Sequence, residues 1–323
     1  MIVCISANPA LDRRVHVDTF TSGEVNRAES SEILPGGKAA HVAMAARALG
    51  IRTIWLAFLG GAIGEECAQG LRRLDIEVVP LRTAVSTRVN LEVVEQSGKI
   101  TELLEPGGTP TQKEREEMLR VCADGLRGQW KQALVVISGS LPAGVPPDFY
   151  RLLIERVHDA GCEVFLDTAG DALHGSLSAS PDFVKPNRKE AEVLLGRPVG
   201  TMDDAQDAAS NLVARGARSA AITLGSEGLV WQESKHGPAW IAGPPTLKAI
   251  STVGCGDTTL AGFAYAWLHG WSGEQAVRFA AACGAANCIA PLTARITSKN
   301  VESLAPQIRV DRFMPRLETR AGE

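Results

Sequence analysis

No stretch of the 323-residue chain is apolar for long enough to span a bilayer. Met1 leads straight into IVCISANPA with neither a basic lead nor a cleavage site, so the expectation is a cytoplasmic protein with no membrane partner. A basic excess is missing as well. Thirty-three Lys and Arg against 37 Asp and Glu give a net charge of −4, which argues against a nucleic-acid surface but leaves room for a local cationic pocket. The seven cysteines (4, 67, 122, 162, 255, 283 and 288) are odd in number and contain no CxxC pair, which points to neither a disulfide framework nor a zinc site. The six histidines (16, 41, 158, 174, 236 and 269) show no HxxxH or HExxH spacing, so carboxylates are the expected ligands of any metal. There is no tandem repeat or low-complexity tract, and 45% hydrophobic with 22% charged residues suits one substantial globular core.

What the chain does contain is alternation. Near-continuous apolar runs at 2–7, 53–59, 134–137, 163–166, 183–184 and 220–224 read as strands buried on both faces. Helical periodicity lies between and after them, at 39–49, 65–74, 111–126, 147–160, 189–195, 203–215 and 274–289. Thr111 with Glu114 predicts a capping box, and Gly161 and Gly196 stand where helices should stop. The order predicts an α/β fold, a mostly parallel sheet with helices on both faces. Two segments interrupt it: 13–20, and 88–94 with its hairpin partner 99–104. They predict a small β-sheet lid over the C-terminal edge, where open α/β sheets bind ligands. The expected division is a core of 1–11, 36–85 and 110–323 and a lid of 12–35 and 86–109. The polar tail 311–323 offers only Phe313 and Met314 as anchors.

The densest motif is STVGCGDTTLAGFAYAWL, from Ser251 to Leu268. Leu260, Phe263, Ala264, Trp267 and Leu268 mark the inward face of a helix, and Asp257 stands at its N-terminus behind Gly254 and Gly256. There the acid can simply cap the helix, or it can stand beside an anion bound by the first-turn N–H groups. Near the start, the Gly36-Gly37 pair precedes another helix and places Lys38 beside it. Alone, Asp12 reads as a turn former and Lys38 as a solvated cation.

Taken in order, NPALD, GEVNRA, PGGK, TRVN, EPGG, SGSLP, LDTAGDAL, KPNRKEAEVLLG and GCGDTTLAGF resemble the ribokinase-like (PfkB) carbohydrate kinases. The likeness is greatest to the phosphosugar branch that includes 1-phosphofructokinase and tagatose-6-phosphate kinase, and it runs from Asn8 to about Asn287. The resemblance implies ATP and Mg²⁺ as cofactors and Asp257 as the base for the attacking sugar hydroxyl. It also implies an anion hole from the backbone of Gly254, Cys255, Gly256 and Asp257. Asn187 and Glu190 match the motif associated with Mg²⁺ and phosphate placement, although their spacing equally suits a helix cap. Lys185 would reach the nucleotide phosphates, with Thr223, Gly225, Ser226 and Asn287 along the nucleotide. On the acceptor side the match gives Asp12, Gly37, Asn90 and Ser138 for the sugar, and Arg88, Lys38 and Arg27 for its phosphate.

Two positions depart from the pattern. GGKAAHVA stands where the branch usually reads GGKGINVA, so His41 replaces an asparagine among the acceptor contacts, and Cys255 replaces an alanine inside GxGD. The expectation is a kinase for a primary hydroxyl of a ketohexose phosphate: fructose 1-phosphate first, then tagatose 6-phosphate or fructose 6-phosphate. A kinase for an unphosphorylated sugar or nucleoside and a non-catalytic sugar-phosphate sensor are the rivals. The lid segments are further expected to pair two subunits as a homodimer.

Overall fold

The computed structural model describes residues 1–313; Met314, expected as an anchor of the tail, lies outside them. The first part of the chain runs β1 (Ile2–Ser6), β2 (Ala10–Val17), β3 (Ser30–Gly36), α1 (Lys38–Ala48), β4 (Thr53–Leu59), α2 (Gly61–Arg72) and β5 (Glu77–Arg82). Next come β6 (Arg88–Glu95), β7 (Ile100–Leu104), α3 (Gln112–Arg127), β8 (Leu134–Ser138), α4 (Phe149–Asp159), β9 (Glu163–Asp167), α5 (Gly170–Leu177) and β10 (Phe183–Val184). The last part holds α6 (Arg188–Leu195), α7 (Met202–Ala214), β11 (Ala220–Thr223), β12 (Leu229–Gln232), β13 (Ala239–Gly243), α8 (Cys255–Leu268), α9 (Gly273–Cys288), α10 (Ser298–Leu304) and β14 (Arg309–Arg312).

Ten strands form one sheet in the order β14-β13-β12-β11-β10-β9-β8-β1-β4-β5. From β11 to β5 every pairing is parallel, and β12 to β14 add an antiparallel edge. β1 and β4 are buried along their whole length, as strands covered by helices on both sides must be. The chain leaves β1 toward β4 and β5, then returns to build β8 to β11 on the other side. The order therefore reverses at β1 and β8, and the crevice beyond their C-terminal ends is the position such sheets use for ligands.

A second, four-stranded sheet, β3-β2-β6-β7, grows from that crevice. β2 follows β1 after three residues, so the lid is anchored to the central strand. β2 begins at Ala10 rather than 13, because backbone pairing with Gly36 and Arg88 extends the strand to the residue after Pro9. α2 begins at Gly61, one turn before the expected 65.

On one face α8 seats its inward residues on the sheet: Leu260, Phe263 and Ala264 are buried, while Trp267 and Leu268 are half-buried. The Phe263 ring packs tilted against Phe183 and Trp231, with centroids 4.8 Å and 5.3 Å away. α8 also packs on α9 at Gly262, where a Cβ would lie 2.7 Å from Ala280 Cα, so only glycine lets the helices approach this closely. The chemistry-bearing first turn of α8 thus rests on a rigid base.

Candidate active site

Three elements bring their polar ends together at the crevice. α1 is a run of small residues, buried from Ala39 to Ala46, and can therefore press close to α8. That contact sets His41, in the first turn of α1, against Asp257, in the first turn of α8. Asp12 approaches from β2. His41 Nδ1 lies 2.9 Å from Asp257 Oδ2, and its Nε2 lies 3.0 Å from Asp12 Oδ2. All three are more than nine-tenths buried. With a carboxylate on each ring nitrogen, both nitrogens must donate, so the ring is an imidazolium. Burial by itself would lower the histidine's pKa. The hydrogen bonds and charges of Asp12 and Asp257 outweigh it and raise the pKa to about 10. Burial likewise works against ionisation of Asp12, but hydrogen bonds from His41 and Asn90 and the charges of His41 and Arg88 hold its carboxyl below the ordinary range. Asn90 Nδ2 donates to Asp12 Oδ1 at 2.9 Å, a contact set by the β2/β6 register that pairs the two residues.

Glycine makes room for this arrangement. A Cβ on Gly36 would lie 2.1 Å from Asp12 Cγ. Gly37, at φ 82°, then turns the chain into α1.

At the head of α8, Gly254 adopts a left-handed conformation (φ 77°) and its Cβ would lie 2.5 Å from Thr293 Cγ2. The Cys255 N–H closes this turn onto Thr252 O at 3.3 Å, which removes it from the four-residue anion hole expected from the motif. The Gly254, Gly256 and Asp257 N–H groups find no acceptor among the described residues, so they remain available to an anion. Lys185 Nζ would stand 3.2 Å from a Cβ on Gly256. It also lies 3.1 Å from Asp167 Oδ2.

Asp167 ends β9 and was not singled out in the sequence. Its signal was the LDTAG run, where an acid closes an apolar strand. Lys38 binds its other oxygen at 3.2 Å and Glu190 Oε1 at 2.9 Å. Burial opposes the Asp167 charge, but the two lysines hold its pKa low, while Asp167, Glu190 and Asp257 raise that of Lys38. Lys38 is therefore occupied by carboxylates and does not present the free cation expected for an acceptor phosphate. Asn187 and Glu190 form a complete capping box on α6, with Glu190 Oε2 accepting from the Asn187 N–H at 2.8 Å.

The remaining expected residues divide. Arg88 donates to Glu105 O and Asn8 O, and its buried Nε has no partner among the described residues. Asn90 Oδ1 and Ser138 Oγ are buried and unpartnered in the same way, an unusual concentration of unmet polar groups. Thr223 ends β11 and bridges Asn187, with Gly225 and Ser226 in the tight turn that follows. Asn287 is not free to grip a ligand. Its amide donates to Val253 O at 2.7 Å and its carbonyl accepts from the Ala294 N–H at 2.7 Å, so it clamps the loop ahead of Gly254. Arg27 is exposed on the loop between β2 and β3 and bonds to none of these groups. No cluster of three or more His, Cys, Asp or Glu side chains among the described residues is placed to hold a metal ion.

Residues 2–299 match the pfkB family of carbohydrate kinases. The 1-phosphofructokinase of Escherichia coli strain K12 is 32% identical over 88% of this chain and 89% of its own length. That of Vibrio cholerae is 30% identical over 98% of both. A crystal structure of Escherichia coli phosphofructokinase-2 in complex with fructose-6-phosphate superposes with a TM-score of 0.85 at 27% identity, covering 95% of this chain and 98% of that one.

Proposed function

The chain belongs to the pfkB family of carbohydrate kinases and is an ATP-dependent phosphosugar kinase, and from that premise we propose that its acceptor is a ketohexose phosphate, fructose 1-phosphate before the 6-phosphates of tagatose or fructose. The observation that carries the site assignment is the head of α8, where a buried carboxylate, Asp257, stands beside three backbone N–H groups with no acceptor among the described residues.

Asp12, Asn90 and Ser138 orient the sugar so that the reacting hydroxyl reaches the open oxygen of Asp257, Oδ1. Asp257 takes its proton as the oxygen attacks the γ-phosphorus of ATP, and the N–H groups of Gly254, Gly256 and Asp257 receive the charge growing on the transferring group. His41 is a positioning residue here. It fixes the distance between the carboxylate that holds the sugar and the one that takes its proton. Lys185 and Lys38, each paired to a carboxylate, line the nucleotide side, and the unpartnered Nε of Arg88 is the best-placed donor for the acceptor's own phosphate.

Asp167 and Glu190 are already neutralised by lysines, so the residues present fit a Mg²⁺ that arrives on the nucleotide, with Glu190 and Asn187 as the protein's share of its shell through water. Bound there, the ion supplies charge neutralisation of the phosphates. Seven unpaired thiols suit a reducing cytoplasm. No helix among the described residues is long and apolar enough to cross a membrane. A second copy of the chain is the proposed partner of the lid.

The test is ADP release with a panel of phosphorylated and unphosphorylated sugars. Turnover is expected for a ketohexose phosphate, with kcat down ~10²–10⁴-fold in Asp257→Asn. Turnover confined to unphosphorylated sugars would remove the acceptor assignment. Tight phosphosugar binding with no turnover would make the protein a sensor.

A further inference from the structure

Five of the seven cysteines are buried, but Cys255 and Cys288 are only partly buried and face each other. Their sulfurs are 2.9 Å apart across 33 residues of sequence. Cys255 is the first residue of α8, and Cys288 the last of α9. We propose that Cys255 and Cys288 form an oxidisable pair, and that their disulfide, made at the expense of a low-molecular-weight disulfide such as glutathione disulfide, switches off phosphoryl transfer.

The approach of the two sulfurs is closer than ordinary non-bonded contact, and a disulfide needs about 2.05 Å, so closure asks the sulfurs to come together by under ~1 Å. The two thiols share one hydrogen bond in which either can donate, and that bond lowers the pKa of the Cys288 thiol against the opposing effect of burial. The same hydrogen bond, with burial, raises that of Cys255. Either thiol can open the exchange; with Cys288 attacking first, Cys255 is the resolving thiol. The Cys288 thiolate attacks one sulfur of glutathione disulfide, forming a mixed disulfide and expelling one glutathione thiolate, which takes a proton. Cys255 then loses its proton and attacks Cys288 Sγ, and the second glutathione leaves. Two protein thiols are oxidised and one glutathione disulfide is reduced to two thiols.

The consequence for catalysis follows from where Cys255 sits. It lies two residues before Asp257 and adjoins Gly256, whose N–H is one of the three open donors. Its sulfur also takes a hydrogen bond from Asn287 Nδ2 at 3.3 Å, from the carboxamide that clamps Val253 and Ala294. Drawing Cys255 toward α9 pulls on the donor turn and on the clamp together. Misplacement of a catalytic group by ~1 Å costs on the order of 10²-fold in rate.

Purified full-length protein is incubated in glutathione buffers of graded disulfide-to-thiol ratio, then followed by mass spectrometry of its peptides and by ADP release. Expected are a peptide pair joined through Cys255 and Cys288 with the loss of two hydrogens, a fall in kcat of about tenfold or more in step with it, and recovery in dithiothreitol. Cys288→Ser is expected to keep the reduced enzyme's activity and to resist the oxidant. A stable glutathione adduct on Cys288 with no joined peptide would overturn the pair, and a joined peptide with unchanged kcat would overturn the switch. Because the mass readout is independent of the acceptor, failure of the sugar assignment is distinguishable from failure of this one.

Discussion

One positive ring between two buried carboxylates sets the charge balance of the cleft. Without His41, the buried carboxylates of Asp12 and Asp257 would face each other unpaired, and removing one partner of a buried charge cluster typically costs ~3–5 kcal/mol. His41→Ala is therefore expected to lower the melting temperature by several degrees as well as the rate. His41→Asn is the more informative variant, since asparagine has one donating group and no charge. Losing one charge-assisted hydrogen bond, worth ~1.5–3 kcal/mol, should lower kcat about 10–100-fold while the fold survives. A variant with wild-type kcat would remove His41 from the positioning role. The stability effect has a defined pH course. The folded-state pKa of His41 is raised from 6.5 to about 10, so its contribution is complete below 6.5, declines above it, and is lost as pH rises through about 10. The melting-temperature gap between wild type and His41→Asn should shrink along that course. A gap that widens toward pH 10 would contradict it. The departure of GGKAAHVA from its family pattern marked His41 as unusual. Its partners were not legible, because they lie 29 and 216 residues away and meet it only once α1 packs on α8.

Among the elements, those with a continuous apolar run or a cap were visible in the sequence, and those stabilised by their neighbours were not. β1, β4, β8, β9 and β11 are buried, and their composition shows it. β3 is half exposed and no apolar run marks it, and β5 carries Pro80 at the outer edge of the large sheet, where proline is tolerated. β12, β13 and β14 went unread because they form an antiparallel edge that stands outside the strand–helix alternation. α8 was read correctly, yet its tight seat on α9 depends on glycines that no periodicity signals. A Cβ at Gly284 would lie 2.3 Å from Thr259 Oγ1, and one at Gly262 would press on Ala280. Gly262→Val should therefore overpack the pair, costing roughly 1–3 kcal/mol. Urea unfolding checks it, and an unchanged midpoint would show that the helices have slack. Since Gly262 faces α9 and not the cleft, the folded fraction should keep its KM for ATP.

For the molecule as a whole, the sheet order brings the site to the reversal between β1 and β8, and the lid hangs from the same point. That lid leaves β3 and β7 as open edges. Val25, Ile33, Leu103 and Leu104 are among its exposed apolar residues, with Leu103 at 57% and Leu104 at 61% of full exposure. A monomer with two unpaired strand edges and leucines along one of them is prone to join another chain. The chain most often available is a second copy of itself, and a two-fold pairing of lid sheets would cover the edges while holding both lids over their clefts. A homodimer is the expected state in solution at micromolar concentration. Sedimentation equilibrium measures it directly, and a single species at the 34.2 kDa chain mass would sink the idea. The double variant Leu103→Lys, Leu104→Lys should dissociate the dimer with its circular dichroism unchanged, since both residues are exposed and belong to neither core. If the lid needs its partner to stay in place, the monomeric variant should also bind the acceptor more weakly, and an unchanged acceptor KM would confine the dimer to a structural role.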